Sequence, residues 1–256
     1  MLELKHIESF YPTQVRHFKR NIVREYLQYK ILAAVFGGKF SGKLVFMGGT
    51  AIHIADGSAR FSEDLDFDNR NLTREGFRAL AEAAGRQLAL EGFEVETKVS
   101  FGGAFSADIR IKSLLYEMGL SGYREEKVLV KIDAEPQGFK YAPRRVVINK
   151  FDVTAGIAVA PEDILLAQKL YAILRRRRPM GRDFYDAMFL AGKTGPHFGY
   201  LKAKAGITDA RALKAALAQR CAGLDFKQLS RDAAPLVFVP GEAGKIELFP
   251  EFVQGM

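Results

Sequence analysis

The chain has 256 residues, enough for one large domain or two small ones with a sizeable core. Its composition, 48% hydrophobic and 27% charged, is that of a globular protein and excludes a disordered or fibrous chain. The formal net charge of +8 favours anionic partners such as nucleic acid, nucleotides or anionic lipid surfaces, without choosing among them. The single cysteine, Cys221, excludes an intramolecular disulfide and a cysteine-based zinc site.

The sequence contains no pattern for membrane insertion or secretion. No apolar run approaches the roughly 18 to 20 residues that cross a bilayer, and the first ten residues lack the apolar core of a signal peptide. The four histidines are scattered without metal-ligand spacing. We therefore expect a cytoplasmic protein that does not insert into a membrane.

The chain begins with a long amphipathic helix, predicted over residues 12–36 from apolar residues at spacings of three and four. A short apolar strand is predicted over residues 43–47, followed by the turn Gly48-Gly49-Thr50 and a short helix over residues 51–57. Residues 64–68 alternate aspartate with Leu65 and Phe67, which is the period of a half-buried strand.

One helix and four strands are predicted next, before a helical region. Thr73 is the predicted N-cap of a helix that runs to Gly92. The four strands are predicted over residues 93–101, 105–111, 128–135 and 145–149, and the three later helices over 160–177, 182–192 and 209–224. The sequence therefore predicts two domains, residues 1–150 with mixed α/β structure and residues 151–256, which are mainly helical.

The turn between the first strand and the short helix is a candidate phosphate site. A strand, a glycine turn and a helix in this order direct free backbone N–H groups at one point, where anions bind. Glycine at positions 48 and 49 lets the backbone approach phosphate closely, and Thr50 adds a hydroxyl donor. Ser62 and Arg60 precede the aspartates, and either is a further candidate phosphate ligand.

Paired carboxylates follow on the next strand. Asp64 and Asp66 are two residues apart and therefore face the same side. Such carboxylates repel unless a cation lies between them, and Mg²⁺ prefers oxygen ligands. A third carboxylate is expected from a neighbouring strand, with Asp133 as the candidate and Asp108 as its alternative. A phosphate cradle beside paired carboxylates is typical of metal-dependent phosphoryl or nucleotidyl transfer.

Two other motifs overlap or adjoin this stretch. Residues 37–43 match the glycine and lysine positions of a P-loop, but Leu44 stands where a Ser or Thr would hold magnesium. Residues 64–75 place acidic residues at the positions of a calcium-binding loop, but Asn69 stands where that loop needs glycine. Neither motif is predicted to be functional.

Two blocks of the sequence resemble a known family. The run MGGTAIHIADGSARFSEDLDF (residues 47–67) resembles motif I of the AbiEii/AbiGii-type nucleotidyltransferase toxins, of the DNA polymerase β-like superfamily. The run PEDILLAQKLYAILRRRRPMGRDFYDAMFL (residues 161–190) resembles the family's second conserved block. The resemblance implies an α+β fold, a mixed sheet flanked by helices and followed by a C-terminal helical domain.

The resemblance also implies roles for the residues of the first block. By resemblance, Gly48, Gly49 and Thr50 hold the nucleotide phosphates, and Asp64 and Asp66 bind the catalytic magnesium ions.

Further roles lie later in the chain. By resemblance, Asp133 matches an acidic position of the family, Lys169 the lysine that contacts the triphosphate, and Asp183 the acidic residue of an Arg-Asp pair. The four arginines at 175–178 form either a solvated helix end or a contact to a nucleic-acid backbone. His53 is expected to pack in the core rather than act as a base.

The sequence thus predicts a magnesium-dependent nucleotidyltransferase. The resemblance implies a toxin of a toxin–antitoxin or phage-defence system that transfers NMP from an NTP to RNA, such as the 3′ end of tRNA, with a cognate antitoxin as partner. One alternative is a nucleotidyltransferase that modifies a protein or a small molecule. Another is a non-catalytic nucleotide- or nucleic-acid-binding module.

Overall fold

The computed structural model describes all residues from 1 to 256, which form two compact units. The first unit comprises residues 1–55, 61–138 and 143–159. The second comprises residues 160–256 together with the short segments 56–60 and 139–142. The predicted domain boundary lies after residue 150, whereas the first unit extends through a further strand to Val159. None of the helices has the length and apolar character that crossing a bilayer requires.

Seven strands form one mixed sheet in the first unit. They are β1 Leu44–Met47, β2 Leu65–Asn69, β3 Glu94–Phe101, β4 Phe105–Lys112, β5 Val128–Glu135, β6 Arg144–Lys150 and β7 Val153–Val159. Their order across the sheet is β3-β4-β5-β2-β1-β7-β6. The pairs β1–β7 and β2–β5 are parallel, and the remaining four pairs are antiparallel. This mixed sheet with flanking helices confirms the predicted α+β fold.

Eleven α-helices complete the two units. Those of the first unit are α1 Leu4–Ser9, α2 Lys19–Gly37, α3 Gly48–Asp56, α4 Arg74–Leu90 and α5 Leu114–Glu117. Those of the second unit are α6 Glu162–Arg175, α7 Gly181–Ala191, α8 Phe198–Ala205, α9 Ala210–Cys221, α10 Phe226–Ala233 and α11 Phe249–Gln254. The predicted N-cap of α4 is confirmed, because Thr73 accepts a hydrogen bond from the backbone N–H of Gly76.

The core of the first unit lies between the sheet and the helices α2 and α4. Strand β5 alternates as predicted, with Val128, Val130 and Ile132 buried and the intervening side chains more exposed. Burying each such aliphatic side chain contributes about 1.5–3 kcal/mol relative to leaving it in water. The alternation therefore fixes which face of β5 carries Lys131 and Asp133, because a shift of one residue would expose the whole apolar set.

The differences from the sequence prediction include the start of the first long helix and an additional strand. The first long helix begins at Lys19 rather than near Pro12, because residues 13–15 form a separate 3₁₀ turn. Strand β7 was not predicted, although it pairs with β6 across a tight turn. That turn places Phe151 at a φ of +59°, where Asn or Gly is usual. The Phe151 ring packs edge-on against Tyr26 and Tyr29, each at 5.3 Å between centroids, which offsets the backbone cost.

Candidate active site

The predicted phosphate-binding turn lies where β1 ends and α3 begins. Gly48 has a φ of +78°, a left-handed conformation that glycine adopts readily. A side chain here would also collide with Asp66, because its Cβ would lie 2.9 Å from the Cβ and Cγ atoms of Asp66. Gly48 therefore allows the first turn of α3 to lie directly against Asp66. The N–H groups of a first helical turn have no partners within the helix and attract anions.

Asp66 and Asp133 lie side by side on adjacent strands. In the parallel pair of β2 and β5, Asp66 is the register partner of Asp133, and on its other side Asp66 lies opposite Met47 of β1. Register partners point to the same face of a sheet, with strands roughly 4.8 Å apart. Asp64 immediately precedes β2. The register therefore brings two of the three predicted carboxylates together on one face.

A lysine lies among these carboxylates. The Nζ atom of Lys131, on β5, is 2.8 Å from Oδ2 of Asp133. The hydrogen bond with Asp133 raises the pKa of Lys131 above its ordinary value, and the negative charges of Asp133, Asp64 and Asp108 add to that rise. The Lys131 ammonium group therefore supplies positive charge where carboxylates would otherwise repel one another.

The residue types fit a divalent cation, although the carboxylates do not converge into a finished ligand set. No three His, Cys, Asp or Glu side chains lie close enough together to hold a metal ion as they stand. The Oδ1 atom of Asp133, however, is buried and has no hydrogen-bond partner. A buried carboxylate oxygen without a partner is unfavourable, and a hard cation such as Mg²⁺ would satisfy it.

Asp108 is the alternative third carboxylate that the sequence left open. It lies on β4 opposite Lys131 rather than opposite Asp133. Its Oδ2 atom accepts a hydrogen bond of 2.7 Å from the Nη2 group of Arg110. Asp108 is thus one strand further from Asp66 and already has a cationic partner, so this arrangement favours Asp133.

Thr50 and Ser62, both predicted to contact phosphate, are tied to other parts of the first unit. The Thr50 side chain is fully buried, and its hydroxyl donates a hydrogen bond to the carbonyl of Asp64. The carbonyl of Ser62 accepts a hydrogen bond of 2.9 Å from the Nε2 group of Gln28. The phosphate-binding roles of Thr50 and Ser62 stay predictions, and the Thr50 hydroxyl already has a partner within the protein.

Lys169 and Asp183 belong to a buried ion cluster in the second unit. The Nζ atom of Lys169, on α6, lies 3.0 Å from Asp183 and 2.9 Å from Asp186, both on α7. Arg60 binds both carboxylate oxygens of Asp186 through its Nε and Nη2 groups, and Arg176 lies 3.3 Å from Asp183. The cluster thus joins three cations to two carboxylates.

Burial and the neighbouring charges shift the pKa values of this cluster in opposite directions. Burial alone would lower the pKa of Lys169, but the charges of Asp186 and Asp183 raise it above its ordinary value. Burial would likewise raise the pKa of Asp186, yet Arg60 and Lys169 hold it below the ordinary carboxyl range. The side chains of Arg60, Lys169 and Asp186 therefore stay charged at neutral pH. The triphosphate role of Lys169 and the role of Asp183 stay predictions. Arg60, a candidate phosphate ligand, is buried and pairs with Asp186, a contact that was not predicted from the sequence.

His53, predicted to pack in the core, is buried in the first unit beside Glu25. The Nε2 atom of His53 lies 2.8 Å from one carboxylate oxygen of Glu25, and Nζ of Lys150 lies 2.7 Å from the other. Burial alone would raise the pKa of Glu25, but the charges of His53 and Lys150 outweigh it and lower that pKa to about 2. These contacts join α2, α3 and β6.

Replacing Glu25 is expected to remove a pH-dependent part of the stability. Because the folded-state pKa of Glu25 lies below its ordinary value of 4.5, its contribution is complete above pH 4.5 and is lost as the pH falls towards 2. That shift corresponds to about 3 kcal/mol. Urea unfolding of wild type and Glu25→Gln at pH 7, 4.5 and 3 should show a stability difference that shrinks on acidification. The surface variant Glu82→Gln is the control, and an equal difference at all three pH values would contradict the prediction.

Comparison with known proteins identifies the family of the chain. The sequence model of a family described as "Nucleotidyl transferase AbiEii toxin, Type IV TA system" matches residues 30–248. The chain belongs to this family. Membership in the AbiEii family makes the protein a nucleotidyltransferase toxin with an NTP substrate, and its toxin–antitoxin class implies an antitoxin partner. A search of curated proteins finds no match.

Solved structures share the fold of this AbiEii-family protein. MenT4, a nucleotidyltransferase toxin from Mycobacterium tuberculosis, aligns with a TM-score of 0.58 at 15% identity, covering 98% of this chain and 88% of MenT4. JHP933 from Helicobacter pylori aligns with a TM-score of 0.56 at 17% identity, covering 92% of each chain. A putative nucleotidyltransferase from H. pylori gives 0.54 at 18% identity, covering 95% of each chain. At these identities the structures establish the fold alone.

Proposed function

We propose that this AbiEii-family nucleotidyltransferase transfers a nucleoside monophosphate from an NTP to a hydroxyl group of RNA, such as the 3′ end of tRNA, and that the reaction requires Mg²⁺. The observation that supports the proposal most directly is the arrangement of Gly48, Asp66 and Asp133, which we call the Asp66 junction. Gly48 sets the N-terminus of α3 against Asp66, and Asp133 lies in register beside it. The N-terminus of a helix and two carboxylates therefore lie at one place, which supports the proposal.

Each part of the junction has a role in this proposal. The backbone N–H groups of Gly49 and Thr50 bind phosphate oxygens of the NTP, and Asp64, Asp66 and Asp133 hold magnesium. Magnesium, when bound, supplies positive charge that lowers the pKa of the acceptor hydroxyl and stabilises the leaving pyrophosphate. The acceptor hydroxyl loses its proton to solvent, and its oxygen bonds to the α-phosphorus as the bond from that phosphorus to the leaving pyrophosphate breaks. The protein contributes mainly position and charge, as in other phosphoryl transfers.

The distribution of charge supports a nucleic-acid acceptor. The second unit contains 17 Lys and Arg residues against 11 Asp and Glu residues, so it carries +6 of the chain's net +8. Arg175, Arg177 and Arg178 are exposed near the end of α6, and no ion pair engages them. Such side chains are available to phosphate groups, whose neutralisation releases counterions.

The direct test of the proposed function is nucleotide incorporation. The protein is incubated with Mg²⁺, total RNA and each of the four α-³²P-labelled NTPs in turn, and the products are divided between ribonuclease and protease digestion. Label that ribonuclease releases and protease does not would support an RNA acceptor. Label that only protease releases would favour the protein-modifying alternative. No label in any acceptor would contradict nucleotidyl transfer.

Neutralising the exposed arginines is expected to weaken RNA binding without loss of fold. In the variant Arg175→Gln/Arg177→Gln/Arg178→Gln, the slope of log K against log [salt] should become shallower by about 0.7 for each lost phosphate contact. Arg176 is kept because it pairs with Asp183. The measurement is RNA binding by filter retention at roughly 50 to 200 mM salt, the range in which contacts to phosphate change the affinity most clearly.

A charge-matched control distinguishes a local contact from net charge. The variant Arg74→Gln/Arg78→Gln/Arg86→Gln removes the same number of charges from the exposed side of α4 in the first unit. If both variants change the salt slope equally, the effect reflects overall charge and not the α6 arginines. If neither variant affects RNA binding or transfer, an acceptor other than RNA is favoured.

A further inference from the structure

Three consecutive backbone carbonyls before β2 each accept a hydrogen bond from a buried side chain. The Nε2 group of Gln28 donates to the carbonyls of Ser62 and Glu63, at 2.9 Å each. The Thr50 hydroxyl donates to the carbonyl of Asp64. The segment Ser62–Asp64 is therefore held by α2 on one side, through Gln28, and by α3 on the other, through Thr50.

This segment lies outside the hydrogen-bond ladders of the sheet. The ladder of β2 with β1 begins at Asp66, and the ladder with β5 begins at Leu65. Strand pairing therefore fixes Leu65 and Asp66 but leaves the segment Ser62–Asp64 without ladder partners. The contacts from Gln28 and Thr50 supply that constraint, and Arg24 adds to it with a 2.8 Å hydrogen bond to the Glu63 carboxylate.

The two donors are placed where water cannot replace them. Gln28 and Thr50 both have no exposed surface. A carbonyl that loses such a donor in a buried site stays unsatisfied, which is more costly than losing a surface hydrogen bond. Glu25, on the same helix as Gln28, also binds His53 of α3. Helices α2 and α3 are thus fixed to one another as well as to the segment.

We infer that Gln28 and Thr50 are positioning residues that hold Asp64 in the geometry required for metal binding beside Asp66. The inference rests on the proposed function, because Asp64 is a proposed magnesium ligand. Residues that orient metal ligands typically change metal affinity or activity by about 10- to 100-fold when they are replaced. An alternative in which the two donors serve only folding predicts lower stability with unchanged metal affinity in the folded fraction.

The test compares shape-conserving variants with and without the donor. Thr50→Val and Gln28→Met remove the donors with little change of volume. Thr50→Ser keeps the hydroxyl. Gln87→Met makes the same exchange as Gln28→Met, but on the exposed side of α4. Mn²⁺ binding is measured by the electron paramagnetic resonance signal of free Mn²⁺, without nucleotide, and transfer is measured in parallel. We expect Thr50→Val and Gln28→Met to weaken Mn²⁺ binding by about 10-fold or more. Thr50→Ser, which keeps the hydroxyl, should bind Mn²⁺ more tightly than Thr50→Val, and Gln87→Met should stay near wild type.

The outcomes separate this inference from the proposed function. Wild-type Mn²⁺ affinity and transfer in both folded donor-free variants would overturn the inference and leave the proposed function intact. Loss of the circular dichroism spectrum and of cooperative unfolding in both variants would also overturn it, because the donors would then serve folding. If wild type itself neither binds Mn²⁺ nor needs a divalent cation, the proposed function fails first, and the inference fails with it.

Discussion

Asp66→Asn is expected to lower nucleotidyl transfer by about 1,000-fold or more while the fold is retained. Asp66 is the residue at which the proposed phosphate and metal sites meet, because Gly48 lies against its carboxylate and Asp133 is its register partner. Asparagine keeps the shape but removes the charge, and the charge stabilisation that a catalytic metal supplies is worth several kcal/mol. About 4 kcal/mol corresponds to the stated factor in rate.

The stability of the variant should not fall with its activity. Asparagine has nearly the same shape as aspartate and can occupy the same place beside Gly48. Thermal unfolding of Asp66→Asn should therefore give a midpoint close to that of wild type. Single-turnover transfer at saturating NTP isolates the loss from weaker substrate binding.

Asp108→Asn is the matched control for this experiment. Asp108 carries the same side chain on β4, which is separated from β2 by β5, but Arg110 already binds it and it lies opposite Lys131. Its replacement should leave transfer within about threefold of wild type, less than the effect of one good hydrogen bond. If Asp108→Asn abolishes transfer and Asp66→Asn does not, the assignment of the carboxylates is wrong.

Local patterns in the sequence sufficed to predict most elements of the sheet. The alternation in β2 and β5 indicates which residues face the core, because the energetic cost of exposing Val130 or Ile132 does not depend on which strand is the neighbour. The glycine turn was likewise predictable from its position between a strand and a helix. Its closeness to Asp66 was not, because that contact arises only when β1 pairs with β2.

The unpredicted features depend on contacts between residues far apart in the sequence. Strand β7 was not predicted, because the turn before it carries Phe151 in a left-handed conformation that a phenylalanine backbone disfavours. Aromatic packing around the Phe151 ring stabilises this conformation. Gln28 in the middle of α2 resembles an ordinary polar position of a surface helix, and only the structure reveals that it is buried against Ser62 and Glu63. The Arg60–Asp186 pair is separated by 126 residues in sequence.

Asp186→Asn is expected to destabilise the protein by about 3–5 kcal/mol, the range for removing one partner of a buried ion pair. Asp186 has no exposed surface and accepts hydrogen bonds from Arg60 while also pairing with Lys169. An asparagine cannot compensate the charge of two buried cations. Asp183 remains beside Lys169, but it already neutralises part of Arg176. The exposed pair of Glu242 and Lys245 supplies the control, because Glu242→Gln should cost no more than about 1 kcal/mol.

The contribution of Asp186 to the free energy of unfolding is expected to depend on pH. The pKa of Asp186 is held below its ordinary value by Arg60 and Lys169, so its stabilising contribution is complete above that ordinary value and is lost on acidification. The free energy of unfolding of wild type minus that of Asp186→Asn, from urea titrations, should therefore be constant between about pH 5 and 8 and shrink below about pH 4. A difference below about 1 kcal/mol at pH 7 would mean that the cluster contributes no more than a surface ion pair. A difference that grows on acidification would contradict the proposed charge state of Asp186.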